Sequence, residues 1–302
     1  MKDMDATQLD KIRSHPGFFA ALDQSGGSTP KALAAYGVGD DAWSTEDQMF
    51  DLVHAMRTRV MTDSAFDGNR ILAAILFEQT MERQVDGVPT SQYLWEVRQI
   101  VPFLKVDKGL AELQDDAQLM KPIDNLDETL EKAVANRIFG TKMRSVIADA
   151  NPRSIEAIAD QQFAYAARIL AAGLVPILEP EVSITSATKA DAETLLNTAL
   201  RERLKALPGE QPLMFKLTIP AEPGLYADLA ADPRVLRVLA LSGGYPNDEA
   251  CERLAKDPVM IASFSRGLLE DLRADQTDEE FHAALESAVE SIYVASTAKK
   301  LT

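Results

Sequence analysis

Charged side chains recur in this sequence where a buried strand should be apolar. Lys216 sits in LMFKLTI, flanked by Phe215 and Leu217, a poorly solvating setting for an ammonium. Desolvation and neighbouring cations both favour a neutral amine, the form that attacks a ketone carbon to give an imine. Lys142 in KMRSVI and Lys105 in VPFLKV supply such cations if these runs share one opening. Lys216 could equally snorkel from a strand end or pair with Glu179 or Glu181, and the local residues leave the two readings level. Making and breaking an imine needs a group that gives and takes a proton, and Glu179 in LEPEV is a carboxyl of that kind. Pro180 stiffens the backbone between Glu179 and Glu181, which are expected to face opposite sides of the strand, one the opening and one the helical layer. A plain ion pair with a lysine accounts for Glu179 equally well.

Two glycine-rich turns point to anion binding. Ser242-Gly243-Gly244 lets backbone amides approach a ligand closely, and Ser265-Arg266-Gly267 adds a guanidinium. Ser25-Gly26-Gly27-Ser28-Thr29 could hold a second phosphate or could be only a turn.

These residues need elements to position them. Eight short apolar runs alternate with longer amphipathic stretches: 18–23, 70–78, 101–106, 142–147, 174–182, 213–219, 235–244 and 259–267. Most lack polar alternation, as parallel strands covered on both faces do. Helical patterns fill the intervals. Asn151-Pro152 opens one with a cap and a first-turn proline, and Gly173 stops it. Thr277-Asp278-Glu279-Glu280 opens another as a capping box, and Leu195, Leu196, Ala199, Leu200 and Leu204 form a third stripe. Eight strands alternating with helices predict an α/β fold, a (β/α)8 TIM barrel in a single domain over residues 1–302, with an open doubly wound sheet as the alternative. The polar exceptions then gather at strand ends: Asp23, Glu78, Lys105 with Asp107, Lys142 with Arg144, Glu179 with Glu181, Lys216, Ser242 and Arg266. In a barrel those ends converge on one mouth, where active sites sit. A set of buried ion pairs of that size stabilises poorly and is improbable without a use.

Composition narrows the partners. A net charge of −16 disfavours nucleic acid and anionic membranes, while a local cationic pocket still admits an anionic small molecule. Cys251 is the sole cysteine, so an intramolecular disulfide and a thiolate metal cluster are excluded, and a packed or partly exposed structural thiol is expected. His15, His54 and His282 lack ligand spacing, and neither a Walker loop, a dinucleotide fingerprint nor a nucleophile elbow is present. No signal-peptide pattern opens the chain, and a cytoplasmic location is expected.

Taken together, ALDQSGGSTPKAL, LKVDKG, GTKMR, LVPILEPEV, FKLTIP, LSGG and SFSRGLL occur in an order and at spacings that closely resemble the class I fructose-1,6-bisphosphate aldolases, in their shorter bacterial form. The resemblance covers most of the chain. It implies a metal-independent carbon–carbon lyase that cleaves fructose 1,6-bisphosphate reversibly to dihydroxyacetone phosphate and glyceraldehyde 3-phosphate, in glycolysis and gluconeogenesis. No cofactor is implied beyond the covalent lysine imine. Lys216 would be the Schiff-base lysine and Glu179 its proton donor and acceptor. Asp23 would handle the C4 hydroxyl proton, and Lys142 would support charge beside Lys216. Lys105 and Arg144 would contact substrate. Ser242, Gly243 and Arg266 would hold the phosphate of the ketone half, and Ser28 would touch the other end. Family members are often homo-oligomers, a state the sequence leaves open.

Three departures stand out: Gln24 replaces an acid found in animal enzymes, Met143 replaces a common tryptophan, and the chain's last residues carry no terminal tyrosine. Met143 is expected to alter packing more than chemistry. Another Schiff-base aldolase acting on a different phosphorylated sugar, or a non-catalytic sugar-phosphate-binding barrel, are the alternatives.

Overall fold

The computed structural model describes residues 5–25 and 29–300. Eight parallel strands run in order around a barrel: β1 Phe18–Leu22, β2 Ile71–Leu76, β3 Val101–Lys105, β4 Gly140–Ile147, β5 Val175–Val182, β6 Leu213–Thr218, β7 Val235–Leu241 and β8 Met260–Ala262. Every consecutive pair from β1 to β8 is hydrogen-bonded in parallel. The ring closes where Ala21 N–H donates to Phe264 O at 3.3 Å. The barrel expectation holds, because strands buried on both faces are what the unbroken apolar runs describe.

Side-chain alternation divides two apolar regions. Phe19, Phe103, Val175, Ile177 and Met214 point inward and fill the barrel's interior. Phe103 packs against Phe19 and Phe139 at ring-centroid distances of 5.5 and 5.6 Å. Gly140 begins β4 because a Cβ there would collide with Val175 O and the Phe103 ring. The helix Ala6–Ser14 closes the strands' N-terminal end: Ile12 joins the interior cluster, and its carbonyl accepts from Arg237 Nε at 2.7 Å. Outward residues such as Met143, Leu178, Phe215 and Leu217 pack under the helices instead. Each side chain so buried contributes roughly 1.5–3 kcal/mol. Met143 therefore lies on the helical side, as a packing residue.

The helices follow their sequence signals. Asn151 caps Pro152–Ala171 by accepting from Arg153 N–H at 3.2 Å, with proline in the first turn. Gly173, with φ +81°, lies just beyond its end. Thr277 and Glu280 form the capping box of Asp278–Thr297. None of the described helices is long and apolar enough to cross a membrane.

Two strand ends differ from expectation. β2 stops at Leu76, and Glu78 opens a one-turn helix where it pairs with Lys108 at 3.3 Å and Lys132 at 3.7 Å, and it does not line the cavity at the mouth. β8 stops at Ala262, so Arg266 begins the short helix Arg266–Leu269 rather than ending a strand. The apolar run had continued through Phe264, which lies beyond the end of β8, its side chain buried and its carbonyl taking the bond from Ala21 that closes the ring.

Candidate active site

The C-terminal ends of the strands open into a cavity of about 960 Å³. Asp23, Lys105, Lys142, Glu179 and Lys216 line its floor, and Arg144, Ser242, Gly243 and Arg266 its walls. Ser28 lies outside the described residues.

Strand periodicity places these groups. Inward positions on β5 run Val175, Ile177, Glu179, and on β6 Met214, Lys216, so apolar filling gives way to charge towards the mouth. The β5–β6 pairing ends at Leu178 and Phe215. Beyond it, Thr218 Oγ1 accepts from Val182 N–H at 3.0 Å and donates to Val182 O at 2.7 Å. That side chain replaces ladder bonds and fixes the strands carrying Glu179 and Lys216.

A chain of ion pairs links the floor. Lys216 Nζ lies 3.0 Å from Glu179 Oε1, Lys142 Nζ 2.9 Å from Glu179 Oε2, and Lys142 Nζ 2.7 Å from Asp23 Oδ2. Lys142, Glu179 and Lys216 are 3%, 3% and 4% exposed, which is tolerable only because each charge has an opposite partner. Burial alone would raise the Asp23 pKa, but Lys142, Lys216 and Lys105 overcome it and hold the carboxyl well below its usual range. Burial would likewise lower the Lys142 pKa, yet Asp23, Glu179 and Asp107 push it above the ordinary lysine value. The pairing thus favours the carboxylate form of Asp23 and the ammonium form of Lys142.

The phosphate-binding candidates surround this floor. Lys105 Nζ is held by Asp107, at 2.9 Å from Oδ1 and 2.8 Å from the backbone oxygen. Gly243 and Gly244 have φ of +63° and +117°, and a Cβ on Gly243 would come within 2.7 Å of Ile184 Cγ2. Only glycine suits such a turn, whose backbone stands at the cavity wall. Arg266 faces the same cavity from the turn after β8.

Glu179 and Glu181 both face the mouth, which corrects the expected division between mouth and helical layer. Residues two apart on a strand share a face. Glu181 instead pairs with Arg144, its Oε2 2.6 Å from Nε, and that carboxylate with Glu179 and Asp107 raises the Arg144 pKa against its burial.

Four further residues take part in the site; the sequence marks Asp107 only as a polar strand end and Ser265 only as part of the turn that carries Arg266. Asp107 bridges Lys105 and, at 3.9 Å, Lys142. Its two-residue spacing from Lys105 was the available signal. Ser263 Oγ lines the cavity, buried and without a hydrogen-bond partner among the described residues. Arg57, fully buried, donates to Gln24 O and Thr80 Oγ1, both at 2.6 Å. Ser265 accepts a bond from Gln24 Nε2. Nothing local in sequence announces these contacts. Cys251 is buried in the helix Asn247–Ala255, the packed of the two expected settings.

Comparison with known proteins bears on this arrangement. The family described as class-I fructose-bisphosphate aldolase matches residues 17–213. A protein of Synechocystis sp. named fructose-bisphosphate aldolase class 1 is 60% identical over 289 residues, covering 96% of each chain. Among solved structures, fructose-bisphosphate aldolase from Plasmodium falciparum, in complex with TRAP and a small-molecule inhibitor, has a TM-score of 0.75 at 22% identity, covering 97% of this chain and 94% of the other. A Corynebacterium glutamicum protein has a TM-score of 0.55 at 13% identity, covering 97% and 92%. The two structures speak to the barrel alone. The sequence matches span most of the chain, and it belongs to the class I fructose-bisphosphate aldolase family.

Proposed function

We propose that this barrel, acting as one catalytic domain, cleaves fructose 1,6-bisphosphate reversibly to dihydroxyacetone phosphate and glyceraldehyde 3-phosphate through an imine on Lys216. The observation that carries the assignment is the buried chain Lys216–Glu179–Lys142–Asp23, each link within 3.0 Å.

Glu179 accepts the Lys216 ammonium proton, and the freed amine attacks C2 of the open-chain ketose. The same carboxyl returns that proton to the C2 oxygen and then carries a second one to it from the attacking nitrogen, so the oxygen leaves as water and an iminium results. Asp23 then takes the C4 hydroxyl proton while the C3–C4 bond breaks. The electron pair moves to C3 and is absorbed by the iminium as an enamine, and the aldehyde departs. Protonation at C3 and hydrolysis release the ketone and restore Lys216. Lys142, held cationic, keeps Asp23 and Glu179 in reach of these atoms and stabilises charge without titrating.

Charge balance supports a phosphorylated substrate. Lys31, Lys105, Lys142, Arg144, Lys216, Arg266 and Arg273 around the cavity outnumber Asp23, Asp107, Glu179, Glu181 and Glu270, and that cationic excess, with the Ser242–Gly243 amides, suits an anion. A phosphate on the ketone half fits there, with Lys105 for the other end. The iminium does the work a metal ion would otherwise do as electron sink.

Cleavage of fructose 1,6-bisphosphate, assayed with and without EDTA, tests the assignment. Activity that survives the chelator and vanishes in a folded Lys216→Ala variant is expected. Activity lost to EDTA and restored by zinc would contradict it.

A further inference from the structure

The barrel is joined most thinly where its ends meet. β8 is three residues long, and the backbone hydrogen bond that closes the ring, Ala21 N–H to Phe264 O, joins β1 to the segment just past its end. Groups that must act on one substrate flank this seam: Asp23 follows β1, and the turn carrying Ser263, Ser265 and Arg266 follows β8. A side-chain bond crosses it, from Gln24 Nε2 to Ser265 Oγ. The Gln24 end is anchored in turn. Its backbone oxygen accepts from Arg57 Nη2 at 2.6 Å, and Arg57 Nη1 donates to Thr80 Oγ1 at 2.6 Å.

The direction of the Gln24 bond matters. A hydroxyl has one proton and two acceptor positions. Because the amide fills an acceptor position of Ser265, the Ser265 proton is left for another acceptor, and Ser265 lines the cavity next to Arg266. An ionised acid at position 24 accepts only. It would draw the Ser265 proton to itself and add a negative charge beside the anion site. The amide avoids both effects.

We infer that Gln24 is a positioning residue, which presents the Ser265 hydroxyl to the ketone-end phosphate and couples occupancy of that site to Asp23 across the seam. The inference rests on the proposed function. Phosphate held by Ser265 and Arg266 fixes the Gln24 side chain, and the backbone bond to Arg57 carries that restraint to the adjacent Asp23.

Borohydride trapping with graded dihydroxyacetone phosphate tests this, since that ligand carries the ketone and its phosphate and needs no carbon–carbon cleavage. The half-saturating concentration should rise about tenfold in Gln24→Ala and in Ser265→Ala, the scale of one hydrogen bond to a charged group. Gln24→Glu should be at least as weak, and Ser265→Thr, which keeps the hydroxyl, should regain most of the affinity. The double variant should be no weaker than Ser265→Ala alone, because the two act through one bond. Unchanged half-saturation in Gln24→Ala, or losses that multiply in the double variant, would overturn the coupling. Should Gln24→Ala fold poorly, the Ser265→Ala and Ser265→Thr pair decides: equal affinity in both overturns it. A wild type that forms no adduct overturns the proposed function, and this inference with it, whereas normal wild-type trapping with indifferent variants overturns the inference alone.

Discussion

Glu179 holds Lys216 through Oε1 at 3.0 Å, which leaves its other oxygen to Lys142 at 2.9 Å. One carboxyl therefore touches both the amine to be deprotonated and a permanent cation. Glu179→Gln keeps the shape but cannot take a proton. Imine formation with dihydroxyacetone phosphate should slow by about 10²–10⁴-fold. Stopped-time borohydride trapping measures this, and an unchanged rate would remove Glu179 from the step.

Asp23→Asn should separate the two halves of the reaction. The imine with dihydroxyacetone phosphate should still form, while cleavage of the bisphosphate falls by about 10²–10⁴-fold. Because the folded-state pKa of Asp23 is depressed by Lys142, Lys216 and Lys105, its contribution to stability is complete above the unfolded value near ~3.9 and is lost as pH falls through the lower folded value. No acid limb from Asp23 should appear in the cleavage rate near neutral pH. Equal loss of trapping and cleavage in the variant would contradict the assigned role.

Gly243→Ala should weaken phosphate binding more than it destabilises the fold. Its φ of +63° and the approach of a Cβ to Ile184 Cγ2 at 2.7 Å strain any other residue there. A cost of about 1–3 kcal/mol is expected, with a raised KM for the bisphosphate. Thermal melting and steady-state kinetics check the two parts, and an unaltered KM would move the phosphate elsewhere.

His282 lies 2.8 Å from Asp63 on the barrel's flank, and that carboxylate, aided by Glu286 and opposed by Arg70, raises the histidine pKa. The pair's stabilisation is therefore fully present below the unfolded value near ~6.5 and disappears as pH rises through the raised folded value. Melting temperatures of wild type and His282→Gln should differ at pH 5.5 and converge by pH 9. A constant difference would show that packing, not charge, holds His282.

Strand identities were legible because parallel strands buried on both faces demand long apolar runs, and the charges that interrupt those runs marked the mouth. Lys216, Lys142, Glu179 and Asp23 were readable in that way. Glu78 was not, because a turn after β2 rotates it towards Lys108 and Lys132. β8 looked longer than it is, since the buried apolar run continues to Phe264, past the strand's end at Ala262. Gln24 was visible as a departure from animal enzymes, but its partner was not: the two residues are 241 positions apart and meet only when the barrel closes. Arg57 was equally hidden, as an arginine in the helix Glu46–Thr62 gives no hint of the carbonyl it holds.

The most direct test is to incubate the protein with fructose 1,6-bisphosphate, reduce with borohydride, digest, and locate the adduct by mass spectrometry. A three-carbon phosphate adduct on the peptide containing Lys216 is predicted, and would establish nucleophile and cleavage together. An adduct on another lysine, or none, would contradict the central claim that Lys216 forms the imine.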